Sequence, residues 1–415
     1  MKRLFLIVLV FAMILPILGC THTSLGDVSS TDREPENVEK PSIDTGISVP
    51  KVEGLSDDFL MGVDISSLIS LENSGRVFYG FDGKEQDIFQ TLHESGVNYI
   101  RVRVWNDPFD ENGNGYGGGN CTVDTAIELG KRAAQYGMGL LVDFHYSDFW
   151  ADPGKQQVPK AWKTLSLEEK ETVIYDFTVQ SLSRIQQNGI SVGMVQVGNE
   201  TTGGLCGEHE KDGIYRLMRS AAKAVRDTDR DILIAVHYTN PERKMYDQYA
   251  RDLMAYGVDY DVFATSYYPE YHGTPENLKE QLTAVHNIGG KKVMIAETSW
   301  AYSSNVKGRY PRSVQGQADA IIDCIQIMAK MGDVGIGVFY WEPAWIDVPG
   351  ANWDEIHAKR ETYGAGWASS YAGFYDPEDA GKYYGGTACI PTALFDTDGH
   401  PLESLKTFLY ARTGT

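Results

Sequence analysis

The sequence predicts an α/β fold, and within that class a (β/α)8 TIM barrel. Two observations carry the prediction. Eight short apolar, β-branched runs alternate with amphipathic stretches of helical spacing between Leu60 and Tyr410. Polar and aromatic residues gather at the C-terminal ends of those runs, where a barrel collects its loops. The competing architecture is an open doubly wound sheet, but no GxGxxG follows the first run.

Taken in order, the strands are expected at Leu60–Ile65, Tyr99–Trp105, Gly139–His145, Gly193–Glu200, Ile232–His237, Asp261–Tyr267, Lys292–Glu297 and Val334–Trp341. Helices are expected between them, among others at Lys84–Ser95, Thr125–Tyr136, Leu167–Asn188 and Gln315–Met331. The last carries Ala318, Ile321, Ile322, Ile325, Met328 and Ala329 on one side, the spacing of a core-facing stripe. A short helix over Leu402–Tyr410 closes the chain. No fixed repeat is visible.

The 415 residues are 42% hydrophobic and 11% aromatic, enough to build a full core. A formal charge of −20 repels phosphate backbones and anionic lipid headgroups, so nucleic acid is not an expected partner. A neutral ligand suits such a chain better, and a monomer is expected. At the N-terminus, Lys2 and Arg3 precede the apolar run Leu4–Leu18, which is interrupted only by Pro16. The run falls short of the roughly 20 residues needed to span a bilayer. It fits the hydrophobic part of a signal peptide.

That run ends Leu18-Gly19-Cys20, resembling the bacterial lipobox, in which the cysteine becomes the lipidated first residue. Cleavage nearby with loss of Cys20 is the competing reading. The expected organisation is a lipoprotein signal peptide at 1–19, a lipidated Cys20 with a flexible Ser/Thr/Pro/Glu-rich tether at 20–55, and a catalytic barrel at 56–415. The protein is then an exported bacterial lipoprotein held at the cell surface or the outer face of a membrane. Of the remaining cysteines, Cys121 and Cys206 flank Gly-rich loops and are the first candidates for a bridge. Cys324 is expected as a buried free thiol, and the absence of CxxC spacing argues against zinc.

The functional signal centres on two stretches of the same form. VGMVQVGNE (192–200) and KVMIAETSW (292–300) are each an apolar strand delivering a glutamate, Glu200 and Glu297, at or next to its end. A single strand-end carboxylate is often structural, paired with a cation. Two of them on strands four and seven, nearly opposite in an eight-stranded barrel, suggest paired catalytic carboxylates.

Strand two ends with Arg101, Arg103 and Trp105 on one face, followed by Asn106. Strand three ends in His145, Tyr146 and Trp150, strand four in Asn199, strand five in His237, strand six in Tyr267, and strand eight in Trp341. A lone histidine there is ordinarily a hydrogen-bonded spacer, but the surrounding aromatics favour ligand contact. Aromatic faces pack on the C–H faces of sugars while polar edges bond hydroxyls, so the composition points to a carbohydrate cleft. Glycoside hydrolysis needs one protonated and one ionised carboxyl. Arg103 is expected beside Glu297, keeping it ionised, with Glu200 carrying the proton.

These segments resemble the glycoside hydrolase family 53 endo-β-1,4-galactanases of retaining clan A. The resemblance rests on GVNYIRVRVWNDPFD (96–110), NGNGYGGGN (112–120), LLVDFHYSDFWADP (140–153), GMVQVGNETTGGL (193–205), ATSYYP (264–269), KKVMIAETSW (291–300), GIGVFYWEPAW (335–345) and the stretch 361–386. It implies a barrel that cuts β-1,4-galactan side chains of pectin, with Glu200 as acid/base and Glu297 as nucleophile. It places Arg103, Trp105, Asn106, His145, Trp150, Asn199, Tyr267 and Trp341 in the substrate cleft.

Bacterial members that bind calcium carry an Asp/Gly/His/Asn-rich loop after strand seven. Here that loop, Ala301–Tyr310, is short and basic, so no cofactor is required and calcium is left as an open alternative. Asp376 and Asp379 offer carboxylates elsewhere. A clan A hydrolase of other specificity, such as a mannanase or xylanase, is the nearer alternative. A lipid-anchored glycan-binding protein is the more distant one.

Overall fold

The computed structural model describes residues 46–386 and 390–415; the apolar N-terminal run, Cys20 and Cys389 lie outside them. Eight parallel strands close in chain order: β1 (Leu60–Asp64), β2 (Tyr99–Val104), β3 (Gly139–Phe144), β4 (Met194–Val197), β5 (Leu233–Tyr238), β6 (Val262–Ser266), β7 (Lys292–Thr298) and β8 (Gly335–Tyr340). The expected (β/α)8 barrel is the observed one, with β1 pairing β8 to complete the ring. The largest shortening is at β4, where Gly198 and Glu200 both take positive φ and end the ladder before the glutamate.

Inward-facing positions change character along the barrel axis. Leu141, Met194, Ala235, Ala264, Met294 and Phe339 form a small apolar plug. Tyr99 fits there because Gly139 and Gly193 lack a Cβ; one added at either position would strike its ring or hydroxyl. Two residues further along, the same strands turn Asp64, Arg101, Asp143, Gln196, His237 and Ser266 inward, all buried. The barrel is thus apolar at its waist and charged at its C-terminal mouth.

The outer core lies between strands and helices. Several long helices begin at a polar cap; Ser166 accepts from the Glu169 amide while Glu169 reaches back to Ser166, starting the helix Leu167–Gln187. The helix Val314–Ala329 buries Ala318, Ile321, Ile322, Ile325 and Met328 as its stripe implies. The packed chain begins before residue 56: Val49 and Val52 are buried, and the Val52 amide donates 2.8 Å to the Ala411 carbonyl. The last part of the segment assigned to the tether therefore belongs to the barrel.

Cys121 and Cys206 are free, buried thiols, not a bridge. Cys121 packs beneath Trp105 and Phe149, while Cys206 lies in the layer between strands and helices. Cys324 is a buried free thiol, as expected.

Candidate active site

The site is built on the charged mouth of the barrel. Arg101 projects from β2 with no exposed surface and gathers three carboxylates. Its guanidinium lies 2.9 Å from Asp64 Oδ2, 2.8 Å from Asp143 Oδ2 and 2.9 Å from Glu297 Oε1. It also donates to Asn199 Oδ1 at 2.8 Å. The second oxygen of Glu297 accepts from the Tyr268 hydroxyl at 2.9 Å. The Glu297 carboxyl lies above its usual range: burial raises it, Arg101 and the Tyr268 hydrogen bond pull it back down, and the Asp143 and Asp64 charges add to the rise.

Glu200 has the contrary environment. It follows Asn199 in a turn at φ +45°, a left-handed conformation that re-aims its side chain after the strand. Burial pushes its carboxyl up to about 8, the charge of Glu297 adds to the rise, and the Ser266 and Thr239 hydroxyls only partly oppose it. No cation is among the largest influences on it within the described residues. At neutral pH one glutamate therefore carries a proton and the other is paired with a guanidinium. That division is the one required of an acid and a nucleophile.

Two histidines lock the surrounding groups. His237 Nδ1 accepts from the Glu200 amide at 3.3 Å, which leaves Nε2–H to face Ser266 Oγ at 3.0 Å. Burial, then the Arg101 charge, hold His237 well below its usual pKa, so it is neutral. His145 Nδ1 accepts from Trp105 Nε1 at 3.0 Å and from the Ala151 amide at 3.1 Å, directing Nε2–H to Asp143 at 3.1 Å. Both histidines are buried, hydrogen-bonded spacers that orient the machinery, not the ligand contacts that their aromatic neighbours suggested.

Most residues expected at the site converge there: Glu200, Glu297, Asn199, His145, His237, Trp105, Trp150, Trp341 and Arg103. Trp150 and Trp341 are partly exposed with ring centroids 6.3 Å apart, and Trp150 stacks on buried Trp345 at 5.9 Å. Asn106 is partly exposed, and its Oδ1 has no partner among the described residues.

Three expectations are corrected. Arg101, not Arg103, contacts Glu297; Arg103 instead pairs with Asp64 at 3.1 Å and Glu342 at 2.7 Å. Tyr146 is fully buried and turns away from the mouth, its hydroxyl 2.8 Å from Thr178 Oγ1 on the helix Leu167–Gln187. Tyr267 is also buried, with its hydroxyl on the Gly273 carbonyl at 3.2 Å, so its neighbour Tyr268 supplies the contact.

Sequence reading also passed over Asp64, Asp143, Gln196 and Glu342. Asp64 and Asp143 had an available signal, since both sit on the inward face of strands adjoining the two arginines. Gln196 bridges Asp143 and His237, with its Nε2 at 2.5 Å and 3.0 Å.

Asp376 and Asp379 converge on the Lys155 ammonium, which lies 3.0 Å from Asp376. Among the described residues no group of three His, Cys, Asp or Glu side chains is placed to hold a metal. A cavity of about 880 Å³ opens nearby, lined by Asp107, Lys155, Gln156, Lys160 and Phe374 but not by the two glutamates.

Comparison with known proteins places this geometry. The family model described as glycosyl hydrolase family 53 matches residues 60–408. The chain is 52% identical over 413 residues to an endo-beta-1,4-galactanase of Bacillus subtilis, covering 96% of each. It is 34% identical to an arabinogalactan endo-beta-1,4-galactanase of Humicola insolens, over 69% of this chain and 89% of that one. Among solved structures, the GH53 catalytic domain of Ignisphaera aggregans superposes with a TM-score of 0.78 at 34% identity, covering 88% of this chain and 99% of that one. A family 10 xylanase at 13% identity and TM-score 0.54 shares only the fold. On this evidence the chain belongs to glycosyl hydrolase family 53 and is a glycosidase.

Proposed function

We propose that the protein is an endo-acting, retaining β-1,4-galactanase that cuts the galactan and type I arabinogalactan side chains of pectin. The observation that carries the mechanism is the opposite environments of the two glutamates, Glu200 pushed up to about 8 and Glu297 held between Arg101 and Tyr268. The kinship with endo-beta-1,4-galactanases supports the substrate.

In the first step a Glu297 oxygen attacks the anomeric carbon. The glycosidic C–O bond breaks as Glu200 gives its proton to the departing oxygen. Glu297 then becomes a neutral ester, and one of the charges that raised Glu200 is gone. The Glu200 carboxylate is left at a lower pKa, suited to take a proton from water. That water attacks the anomeric carbon, and Glu297 leaves as the carboxylate. Two inversions retain configuration. Following newly released reducing ends by proton NMR tests this: the β-anomer is expected first, whereas the α-anomer first would mean inversion.

Trp150 and Trp341 are read as the sugar-stacking surface, with Asn106 and Asn199 among the hydroxyl partners. The N-terminal run and Cys20 support export and lipid anchoring on the outer face of a membrane, with a neutral polysaccharide as partner. No metal is required in this account.

A further inference from the structure

A third glutamate stands at the mouth of the barrel and takes no part in the chemistry above. Glu342 lies just beyond β8, has no exposed surface, and sits at φ +48°. Left-handed backbone at a non-glycine residue persists only where the surroundings hold it. Here three donors hold it: the Ser67 amide at 3.1 Å, the Ser67 hydroxyl at 2.7 Å and the Arg103 guanidinium at 2.7 Å.

Arg103 is shared between this carboxylate and Asp64, and its Cζ lies 4.6 Å from the centroid of the Trp150 ring. Trp150 is in turn backed by Trp345 and neighbours Trp341. Its Nε1 donates to the Trp367 carbonyl at 3.1 Å. Among the described residues Arg103 Nε has no partner, so its terminal nitrogens set the plane of the guanidinium. Two of the contacts that fix it come from Asp64 and Glu342.

The geometry points to Glu342 as a positioning residue for substrate binding, acting through Arg103 to hold the Trp150 ring where a sugar stacks. It does so without touching sugar or the reacting glutamates. Asp64 ties Arg103 to Arg101, so it belongs equally to the nucleophile's support. Glu342 bonds Arg103 and Ser67 and stands one link further from the nucleophile than Asp64. Loss of its charge frees the guanidinium to rotate and loosens the ring, which weakens ground-state binding and leaves bond cleavage largely intact. The inference rests on the reading of Trp150 as a sugar-stacking surface.

The test is steady-state kinetics of Glu342→Gln, Trp150→Ala and the double variant on β-1,4-galactan, or on whichever polysaccharide the wild type cleaves. Glu342→Gln is expected to raise KM about tenfold with kcat within about threefold. Trp150→Ala is expected to raise KM at least as much, and the double variant no further than Trp150→Ala. Should Glu342→Gln not fold, Arg103→Lys keeps the cation between the two carboxylates but removes the planar contact, and the same rise in KM is expected. Unchanged KM in Glu342→Gln or Arg103→Lys, a fall in kcat at constant KM, or full additivity with Trp150→Ala would overturn the inference. An unchanged KM in Trp150→Ala itself would instead remove the stacking reading on which it rests.

Discussion

Arg101 and Glu297 lie 2.9 Å apart, with the arginine fully buried. The pair is the electrostatic centre of the site, because the same guanidinium also holds Asp64, Asp143 and Asn199. Arg101→Met is therefore expected to lower kcat/KM by about 10²–10³. It is also expected to shift the acidic limb of the pH profile upward, since Glu297 loses the cation opposing its burial. Tyr268→Phe removes one hydrogen bond and should cost about tenfold. A kcat/KM profile against pH for both variants checks the two effects together.

The two glutamates should respond differently to substrate chemistry. Glu200→Gln loses the acid, so natural linkages suffer most, by about 10²–10⁴. Aryl galactosides with good leaving groups need no proton and should retain much of their rate in the glycosylation step. Glu297→Gln replaces the nucleophilic carboxylate with a neutral amide and should be inactive on both. Equal losses on both substrates for Glu200→Gln would contradict its role as proton donor.

The pH dependence follows from Glu200. With its carboxyl pushed up to about 8, activity should fall as pH rises through that value and the acid loses its proton. The same shift bears on stability. The folded state holds this proton between the ordinary carboxylate range and about 8, whereas the unfolded chain has released it. Stability contributed by the protonated group is thus complete at low pH and is lost as pH rises toward 8. Glu200→Gln removes this dependence, so its melting temperature should gain on the wild type as pH increases from 5 to about 8.5. A constant difference across that range would contradict the assignment.

Asp376 and Asp379 are already occupied by Lys155. Activity and melting temperature are accordingly expected to be unchanged after exhaustive treatment with a calcium chelator. A fall of several degrees that calcium alone reverses would show a site that these residues do not suggest.

The fold was legible because strand and helix periods leave distinct marks and because barrel mouths collect polar residues. Glu200 and Glu297 were legible for the same reason, each at or just beyond the end of an apolar run. What escaped was set by register. Alternation put Arg101 and Arg103 on one face but did not say which rung meets Glu297; the stagger of strands around the barrel decides that. The choice of Tyr268 over Tyr267 depends on the irregular pairing of β6 and β7 near Thr265 and Ser266, which has no sequence mark. Tyr146 turns outward because its φ is +49°, another strand-end reversal invisible to a period-two reading. The bridge expected between Cys121 and Cys206 rested on proximity to Gly-rich loops, which says nothing of the separate layers where the thiols reside.

Lipid anchoring is checked by Cys20→Ala in the native host. The wild-type protein should partition with membranes, and the variant should be soluble or uncleaved. Equal distribution of both would remove the anchor.

The most direct test of the account is product analysis of the purified protein on unbranched β-1,4-galactan, beside mannan and xylan, with Glu297→Ala as control. Short galacto-oligosaccharides appearing early, from galactan alone and absent with the variant, are the predicted result. Preferential cleavage of mannan or xylan would contradict the substrate, and undiminished cleavage by Glu297→Ala would contradict the mechanism.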